Sequence, residues 1–134
     1  MAKQLKRILY LEDDEHISEI AQLSLGLNPE LEVRHCERGA DAIAKFSDFR
    51  PDLLLFDVML PDMDGVETLA EIRKLPGGED TPVIFMTAKA QTHEQSQYLG
   101  NGALSVIVKP FDAFNLPNQL NDIWEKNDAP AHQN

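Results

Sequence analysis

The chain has 134 residues, 43% of them hydrophobic and 26% charged, which is the size and composition of one globular domain with its own core. Its net charge of -11 argues against a surface for nucleic acid or anionic membrane, because both reward lysine and arginine. The acidity is equally compatible with simple solubility. The one cysteine, Cys36, rules out an intramolecular disulfide and indicates a reducing compartment. With no signal region or membrane-spanning run in the sequence, we expect a cytoplasmic protein, with Cys36 a small core or strand-edge residue.

Short apolar runs alternate with amphipathic stretches along the chain. The runs predict strands over residues 7–11, 31–36, 53–56, 83–86 and 104–108, and the continuous apolar run at 53–56 predicts a strand buried on both faces. Helical spacing predicts apolar helix faces made of Ile17, Ile20, Ala21 and Ser24, then Ala40, Ile43, Ala44 and Phe46, then Val66, Leu69, Ala70 and Ile72, and finally Leu116, Leu120 and Ile123. A short polar helix is predicted near residues 92–99. This alternation is typical of an α/β domain, and we expect a five-stranded (βα)5 doubly wound parallel sheet.

Turn-forming residues separate these elements. Asn28-Pro29, Pro76-Gly77-Gly78 and Gly100-Asn101-Gly102 are expected to end the first, third and fourth helices. Pro117 lies early in the last helix, where a missing N–H is tolerated. We expect one domain over residues 1–127 and a disordered tail over 128–134.

Five polar residues come at or just after the predicted strand ends: Glu12, Asp13, Asp57, Thr87 and Lys109. Because the carboxyl ends of parallel strands share one edge of the sheet, these side chains should meet there. Their types suit phosphoryl transfer, with a carboxylate nucleophile such as Asp57, two carboxylates for Mg2+, and a hydroxyl and an ammonium for phosphoryl oxygens. Two carboxylates about 4 Å apart repel by roughly 4 kcal/mol at an effective dielectric of about 20. The cluster therefore needs a divalent cation and a lysine.

Four motifs along the chain carry a family resemblance. They are Ile8-Leu9-Tyr10-Leu11-Glu12-Asp13-Asp14, Phe56-Asp57-Val58-Met59-Leu60-Pro61-Asp62-Met63-Asp64-Gly65, Met86-Thr87-Ala88 and Val108-Lys109-Pro110-Phe111. In order and spacing they resemble the receiver domain of bacterial two-component response regulators, and the resemblance covers residues 6–126. It implies a flavodoxin-like sheet with strand order 2-1-3-4-5.

The resemblance implies a role for each acidic residue of the cluster. Asp57 matches the phosphorylated aspartate. Glu12 and Asp13 match the acidic pair that binds Mg2+ (with Mn2+ as an alternative), together with Asp57 and the backbone carbonyl of Met59. The phosphoryl donor would be a histidine kinase or a histidine phosphotransfer protein. The chain would not be an enzyme in the usual sense, because it would catalyse only its own phosphorylation and dephosphorylation.

The remaining matches concern the switch and the output. Thr87 matches the hydroxyl that moves toward the phosphoryl group, and Lys109 matches the family's lysine, with a cis Lys109-Pro110 bond. Gly65 matches the glycine at which the loop turns into the third helix. Since no residues remain for a DNA-binding or enzymatic output domain, we expect output by docking to a downstream protein or by phosphorelay, without nucleic acid or membrane.

Three positions depart from the commonest receiver pattern. Met59 and Lys89, two residues after the acceptor aspartate and the conserved hydroxyl, flank the path of the attacking water. Met59 would exclude that water and Lys89 could pair with the phosphoryl group, which predicts a long-lived acyl phosphate unless both side chains simply face solvent. Val106 stands where most receivers have Tyr or Phe. Valine is small and stiff at χ1, so coupling would run through segment 87–99, or the chain would mainly relay phosphate.

Other functions fit parts of the pattern. A receiver fold retained for protein binding alone is disfavoured by the intact acidic, hydroxyl and lysine set. A Mg2+-dependent phosphatase with an aspartyl intermediate would carry a second aspartate where this chain has Met59. Asp62, Asp64 and Gly65 lack the other ligands of a calcium-binding EF-hand and are interpreted as turn and cap residues. The histidines lack metal-ligand spacing and are expected at the surface or at strand edges: His16, His35, His93 and His132.

Overall fold

The computed structural model describes residues 3–132, over which strands and helices alternate. The elements are β1 (Arg7–Leu11), α1 (Glu15–Leu25), β2 (Glu32–Cys36), α2 (Gly39–Phe49), β3 (Leu53–Phe56), α3 (Gly65–Ile72), β4 (Val83–Thr87), α4 (Thr92–Gly100), β5 (Ser105–Val108) and α5 (Leu116–His132). Within this range the strands form one sheet in the order β2-β1-β3-β4-β5, and every pairing is parallel. The predicted doubly wound fold and its strand order are confirmed.

The sheet separates two hydrophobic layers, because successive side chains of a strand point to opposite faces. On one face the strands pack against α2, α3 and α4, through residues such as Leu54, Phe85, Phe46, Leu69 and Tyr98. On the other they pack against α1 and α5, through residues such as Leu55, Ile84, Leu25, Leu116 and Leu120. Every residue of β3 and β4 is buried. Burial on both faces explains the unbroken apolar run of β3, since each fully buried leucine contributes about 1.5–3 kcal/mol.

The buried faces of α1 and α2 match the predicted ones in part: Ala21 and Ser24 of α1 and Phe46 of α2 are buried as predicted. In α1, Ile20 is 49% exposed, and the core side consists of Ser18, Ala21, Ser24 and Leu25. The buried serine hydroxyls bond to backbone oxygens, Ser18 to Glu15 O at 3.0 Å and Ser24 to Ala113 O. In α2 the core side is Gly39, Ala42, Phe46 and Phe49, while Ala40 and Ala44 are exposed. Hydropathy alone missed Ser18, Gly39 and Ala42, because a hydroxyl with a backbone partner and small residues can be buried without strong apolar character.

The other helices follow the prediction more closely. Leu69 and Ile72 of α3 and Leu116 and Leu120 of α5 are buried, although Ala70 is exposed and Thr68 takes its place. Helix α1 ends at Leu25, before Asn28-Pro29, and α4 ends at Gly100. Helix α5 continues to His132, so the backbone is helical over residues 128–132, where the sequence predicted a tail; residues 133–134 lie outside the described part of the chain. Across residues 3–132, no helix has both the length and the apolar character to cross a bilayer.

Candidate functional site

Three carboxylates meet at the carboxyl edge of the sheet. Glu12 follows β1 and Asp57 follows β3, and the pairing of Leu11 with Phe56 in the two strands sets them side by side. One carboxylate oxygen from each of Glu12, Asp13 and Asp57 lies within 4.8 Å of the others. Glu12 is 1% exposed and Asp57 5% exposed, whereas Asp13 is exposed. The structure therefore brings together the acidic residues that the sequence placed at this edge.

Lys109 supplies a positive charge to this group. Its Nζ lies 2.9 Å from Asp57 Oδ2 and also donates a hydrogen bond to Glu12 Oε1. The side chain is 9% exposed, and the Lys109-Pro110 peptide bond is cis, as the resemblance implied. When all three carboxylates are ionised, the one ammonium leaves two negative charges uncompensated. Since like charges at this spacing repel by roughly 4 kcal/mol at an effective dielectric of about 20, the arrangement favours a further cation.

Burial and mutual contact perturb the ionisation of the pair Glu12 and Lys109. Burial raises the pKa of Glu12 to about 7, with the neighbouring Asp57 charge acting in the same direction and Lys109 opposing it. Burial alone would lower the pKa of Lys109, but its hydrogen bonds to the Glu12 and Asp57 carboxylates outweigh that effect and raise it. Lys109 is therefore cationic at neutral pH, while Glu12 exchanges its proton near neutrality.

Thr87 and the backbone around Asp57 complete the edge of the sheet. Thr87 ends β4, is fully buried, and its Oγ1 accepts a hydrogen bond from Lys89 N at 3.1 Å. The carbonyl of Thr87 accepts from Lys109 N at 3.1 Å, which ties the ends of β4 and β5 together. Asp57 Oδ1 accepts from Met59 N at 3.2 Å. The Thr87 hydroxyl, the Lys109 ammonium and the Asp57 carboxylate thus belong to three neighbouring strand ends.

Gly65 allows the chain to fold back over Asp57. Its N–H donates to Val58 O at 2.9 Å, and a Cβ on this residue would lie 2.1 Å from the carbonyl oxygen of Asp57. Asp64, just before it, caps α3, because its carboxylate accepts from Glu67 N at 2.8 Å while Glu67 bonds back to Asp64 N. This capping box begins the helix immediately after the turn. Only glycine fits this close approach of two backbone segments.

The three positions that depart from the common pattern lie around the site. Met59 is 55% exposed and lines an open hollow together with Lys89 and Glu94. Lys89 Nζ lies 3.6 Å from Glu94 Oε2, so its charge already has a partner. Val106 is half-buried and packs against the core cluster that contains Tyr98. Neither Glu94 nor Tyr98 was among the predicted site residues, because α4 is short and polar and its path could not be derived from hydropathy.

The remaining polar residues have structural partners. Asp62 pairs with Arg38 at 3.4 Å on the surface, and Asp64 is the helix cap described above, so the turn-and-cap interpretation is confirmed. His35 lies on the edge strand β2, and its Nε2 is 2.8 Å from the backbone oxygen of Glu12. His16 and His93 are exposed, and the side chain of His132 lies outside the described part of the chain. Cys36 is buried in β2, as predicted.

Comparison with known proteins places the chain in one family. Residues 8–121 match the response regulator receiver domain. The chain is 33% identical over 108 residues to the regulatory protein AtoC of Escherichia coli, covering 81% of this chain and 23% of AtoC. It is 32% identical over 121 residues to the transcriptional regulatory protein TrcR of Mycobacterium tuberculosis, covering 90% of this chain and 46% of TrcR. The chain thus spans less than half the length of either relative.

A solved structure agrees with the sequence match. The fold is similar to that of the chemotaxis protein CheY4 of Vibrio cholerae, with a TM-score of 0.80 and 25% identity, covering 89% of this chain and 98% of that one. The doubly wound sheet with acidic residues at its carboxyl edge defines a signalling receiver, and the family match extends over most of the chain. This protein belongs to the response regulator receiver domain family of two-component systems.

Proposed function

We propose that this chain accepts a phosphoryl group on Asp57 from a histidine kinase or a histidine phosphotransfer protein, in a reaction that requires Mg2+. The observation that carries the proposal is the joint contact of Lys109 Nζ with Asp57 and Glu12. This contact holds the acceptor carboxylate against a cation, while its second oxygen accepts a hydrogen bond from the backbone N–H of Met59 in the loop. The intact set of residues supports phosphorylation over a role in protein binding alone.

The proposed reaction uses the residues already at the strand ends. A carboxylate oxygen of Asp57 attacks the phosphorus of a phosphoimidazole, a P–O bond forms, and the P–N bond breaks as the donor imidazole leaves and takes a proton from solvent. Lys109 balances the charge that accumulates on the phosphoryl oxygens, and the Thr87 hydroxyl turns toward one of them to donate a hydrogen bond. The chain acts on its own aspartate and on no other substrate.

The acidic cluster fits a magnesium ion by its chemistry. Three carboxylates offer hard oxygen ligands close together, and their charge exceeds what Lys109 can balance. We propose Glu12, Asp13 and Asp57 as the residues that hold the ion, with the Met59 carbonyl as a further ligand and Mn2+ as a substitute. When bound, the ion supplies positive charge that draws the carboxylates and the incoming phosphoryl oxygens together.

The proposal has a direct test. Incubation with acetyl phosphate and Mg2+ should add one phosphoryl group per chain, seen by intact mass and placed on Asp57 by peptide mapping. The same incubation with excess chelator should leave the mass unchanged. Phosphate on another residue, or none under either condition, would contradict the proposal. We predict that the output is docking to a downstream protein or onward transfer of the phosphoryl group. A cytoplasmic location is likewise a prediction, inferred from the single cysteine.

Magnesium affinity should depend on pH because Glu12 binds the metal only when deprotonated. Its pKa is raised to about 7, so protons compete with the ion below that value and affinity should fall by about tenfold per pH unit. Above it the affinity should level off. Calorimetric titration of the metal into the wild-type chain at a series of pH values measures this dependence.

Two conservative variants separate the contributions of the carboxylates. Glu12→Gln should bind Mg2+ more weakly at every pH and lose the pH dependence near neutrality. Asp13→Asn, which alters the exposed member of the cluster, should weaken binding by at least about tenfold, a loss of about 1.4 kcal/mol, but should keep that dependence. Wild-type affinity in both variants would show that the ion binds elsewhere.

The acyl phosphate should be hydrolysed faster when Met59 is replaced by asparagine. Met59 is apolar and lies beside the acceptor loop, so it offers no group to orient an attacking water. An amide at this position would orient one, and we expect hydrolysis to accelerate by roughly tenfold. The loss of label from the purified phosphoprotein measures the rate. Met59→Leu keeps the apolar bulk and should retain the wild-type rate; an unchanged or slower rate in Met59→Asn would refute the idea.

A further inference from the structure

Helix α4 is held to the domain by few side chains. Of its nine residues only Glu94 and Tyr98 are buried. Tyr98 is 5% exposed, and its ring packs against Phe85 of β4 with centroids 5.3 Å apart. Val106 of β5 packs against the same cluster. The apolar attachment of α4 therefore depends mainly on one aromatic ring.

The loop between β4 and α4 connects this ring to the acceptor site. Tyr98 Oη donates to the carbonyl of Lys89 at 2.9 Å, and the N–H of Lys89 donates to Thr87 Oγ1 at 3.1 Å. The backbone of one residue thus bonds to the switch hydroxyl on one side and to α4 on the other. Two further bonds fix the same loop to the helix, from Gln95 Nε2 to Ala90 O at 2.7 Å and from Gln91 N to Glu94 Oε1 at 2.9 Å.

We infer that Tyr98 couples the acceptor site to α4 through the backbone of Lys89. Tyr98 would thus transmit the change that the smaller Val106 side chain cannot transmit. This inference rests on the proposed phosphorylation of Asp57. When the Thr87 hydroxyl turns toward the phosphoryl group, Lys89 N–H loses its acceptor and the loop shifts. The Lys89 carbonyl moves with it, and Tyr98 either follows or releases its bond. Because little else anchors α4, its position changes in either case.

The surroundings of Tyr98 keep its hydroxyl protonated at neutral pH, so that it can donate its hydrogen bond to the Lys89 carbonyl. Burial raises the pKa of Tyr98, and the nearby Glu94 charge adds to the effect. The hydroxyl is therefore protonated and able to donate under ordinary conditions. The carboxylate of Glu94 also pairs with Lys89 Nζ, so the side chain and the carbonyl of Lys89 are both held by α4.

Tyr98→Phe tests the coupling because it removes the hydroxyl and leaves the ring against Phe85. Amide shifts are compared with and without beryllofluoride and Mg2+, a mimic of the phosphoryl group. In the wild-type chain, shifts should appear at residues 87–89 and along α4. In Tyr98→Phe the shifts at 87–89 should persist, whereas those along α4 should be clearly smaller than in the wild type, with the remainder carried by the other bonds between the loop and the helix. Tyr10→Phe is the matched control, since the buried Tyr10 hydroxyl has no hydrogen-bond partner in the part of the chain that the structure describes, and it should respond as the wild type does.

A second experiment, a double-mutant cycle on stability, needs no phosphoryl mimic. In the untreated chain, Thr87→Val and Tyr98→Phe should change the free energy of unfolding non-additively, because both act through Lys89. Strict additivity, or α4 shifts in Tyr98→Phe equal to those of the wild type, would overturn the coupling. If the mimic shifts no amide at residues 57 and 87–89 of the wild type, the proposed acceptor function fails, and non-additivity in the untreated chain still decides whether Tyr98 is coupled to Thr87.

Discussion

Replacing Asp57 by asparagine is expected to abolish phosphorylation by acetyl phosphate while the domain stays folded. The amide has nearly the shape of the carboxylate and can keep one oxygen toward Lys109, but it is not a nucleophile at neutral pH. The substitution also removes a buried negative charge from a cluster that carries an excess of them, so no loss of stability is expected. Intact mass after incubation measures the label, and a denaturant titration measures the free energy of unfolding.

The control for this variant is Asp62→Asn in the same loop. The Asp62 side chain is 75% exposed and pairs with Arg38 on the surface, so labelling should be as complete as in the wild type. Full labelling of Asp57→Asn would move the acceptor to another residue. Loss of label together with loss of folding would leave the acceptor to be identified by peptide mapping of the wild type.

The fold and the acidic edge could be predicted because both follow from local patterns. A run such as Leu53–Phe56, apolar at every position, is stable only when both faces of the strand are covered, which requires helices on both sides of the sheet. The residue after each such strand then falls at the same edge by geometry alone. Glu12, Asp57 and Lys109 could therefore be placed together without any knowledge of their side-chain contacts.

The connections of Tyr98 and Glu94 could not be predicted in this way. Helix α4 is polar, so its periodicity does not reveal which side faces the sheet. The bond from Tyr98 to the Lys89 carbonyl depends on the exact path of a four-residue loop, and backbone carbonyls carry no sequence signal. The same limit applies to Ser18, whose buried hydroxyl bonds to a backbone oxygen that hydropathy does not register.

The proposed switch combines residues that the sequence pattern could place with contacts that it could not. The proposed acceptor chemistry would depend on side chains at strand ends, whereas the proposed transmission to α4 would depend on one tyrosine and one loop backbone. Because position 106 is a half-buried valine, the aromatic side chain that contacts β4, α4 and the loop in the described structure is Tyr98. Substitutions at Tyr98 or in the loop would then alter the response of α4 without altering the phosphorylation of Asp57.

Gly65→Ala is expected to destabilise the domain and to impair phosphorylation together. A Cβ at this position would lie 2.1 Å from the carbonyl oxygen and 2.9 Å from the carbonyl carbon of Asp57, and both are backbone atoms that cannot rotate away. The loop must therefore move, which displaces the acceptor from Lys109 and costs about 1–3 kcal/mol of stability. Urea unfolding measures the loss, and the rate of labelling by acetyl phosphate reports the displacement.

Gly100→Ala provides the comparison, because a Cβ there would meet no tertiary neighbour within 4 Å among the described residues. Gly100 ends α4 in the same domain, so this variant carries the same chemical change without the clash. It should label like the wild type and change the stability by no more than about 1 kcal/mol, with stabilisation the favoured sign. If Gly65→Ala matched Gly100→Ala in both stability and labelling rate, the close approach of Gly65 to the Asp57 backbone would not constrain the acceptor loop.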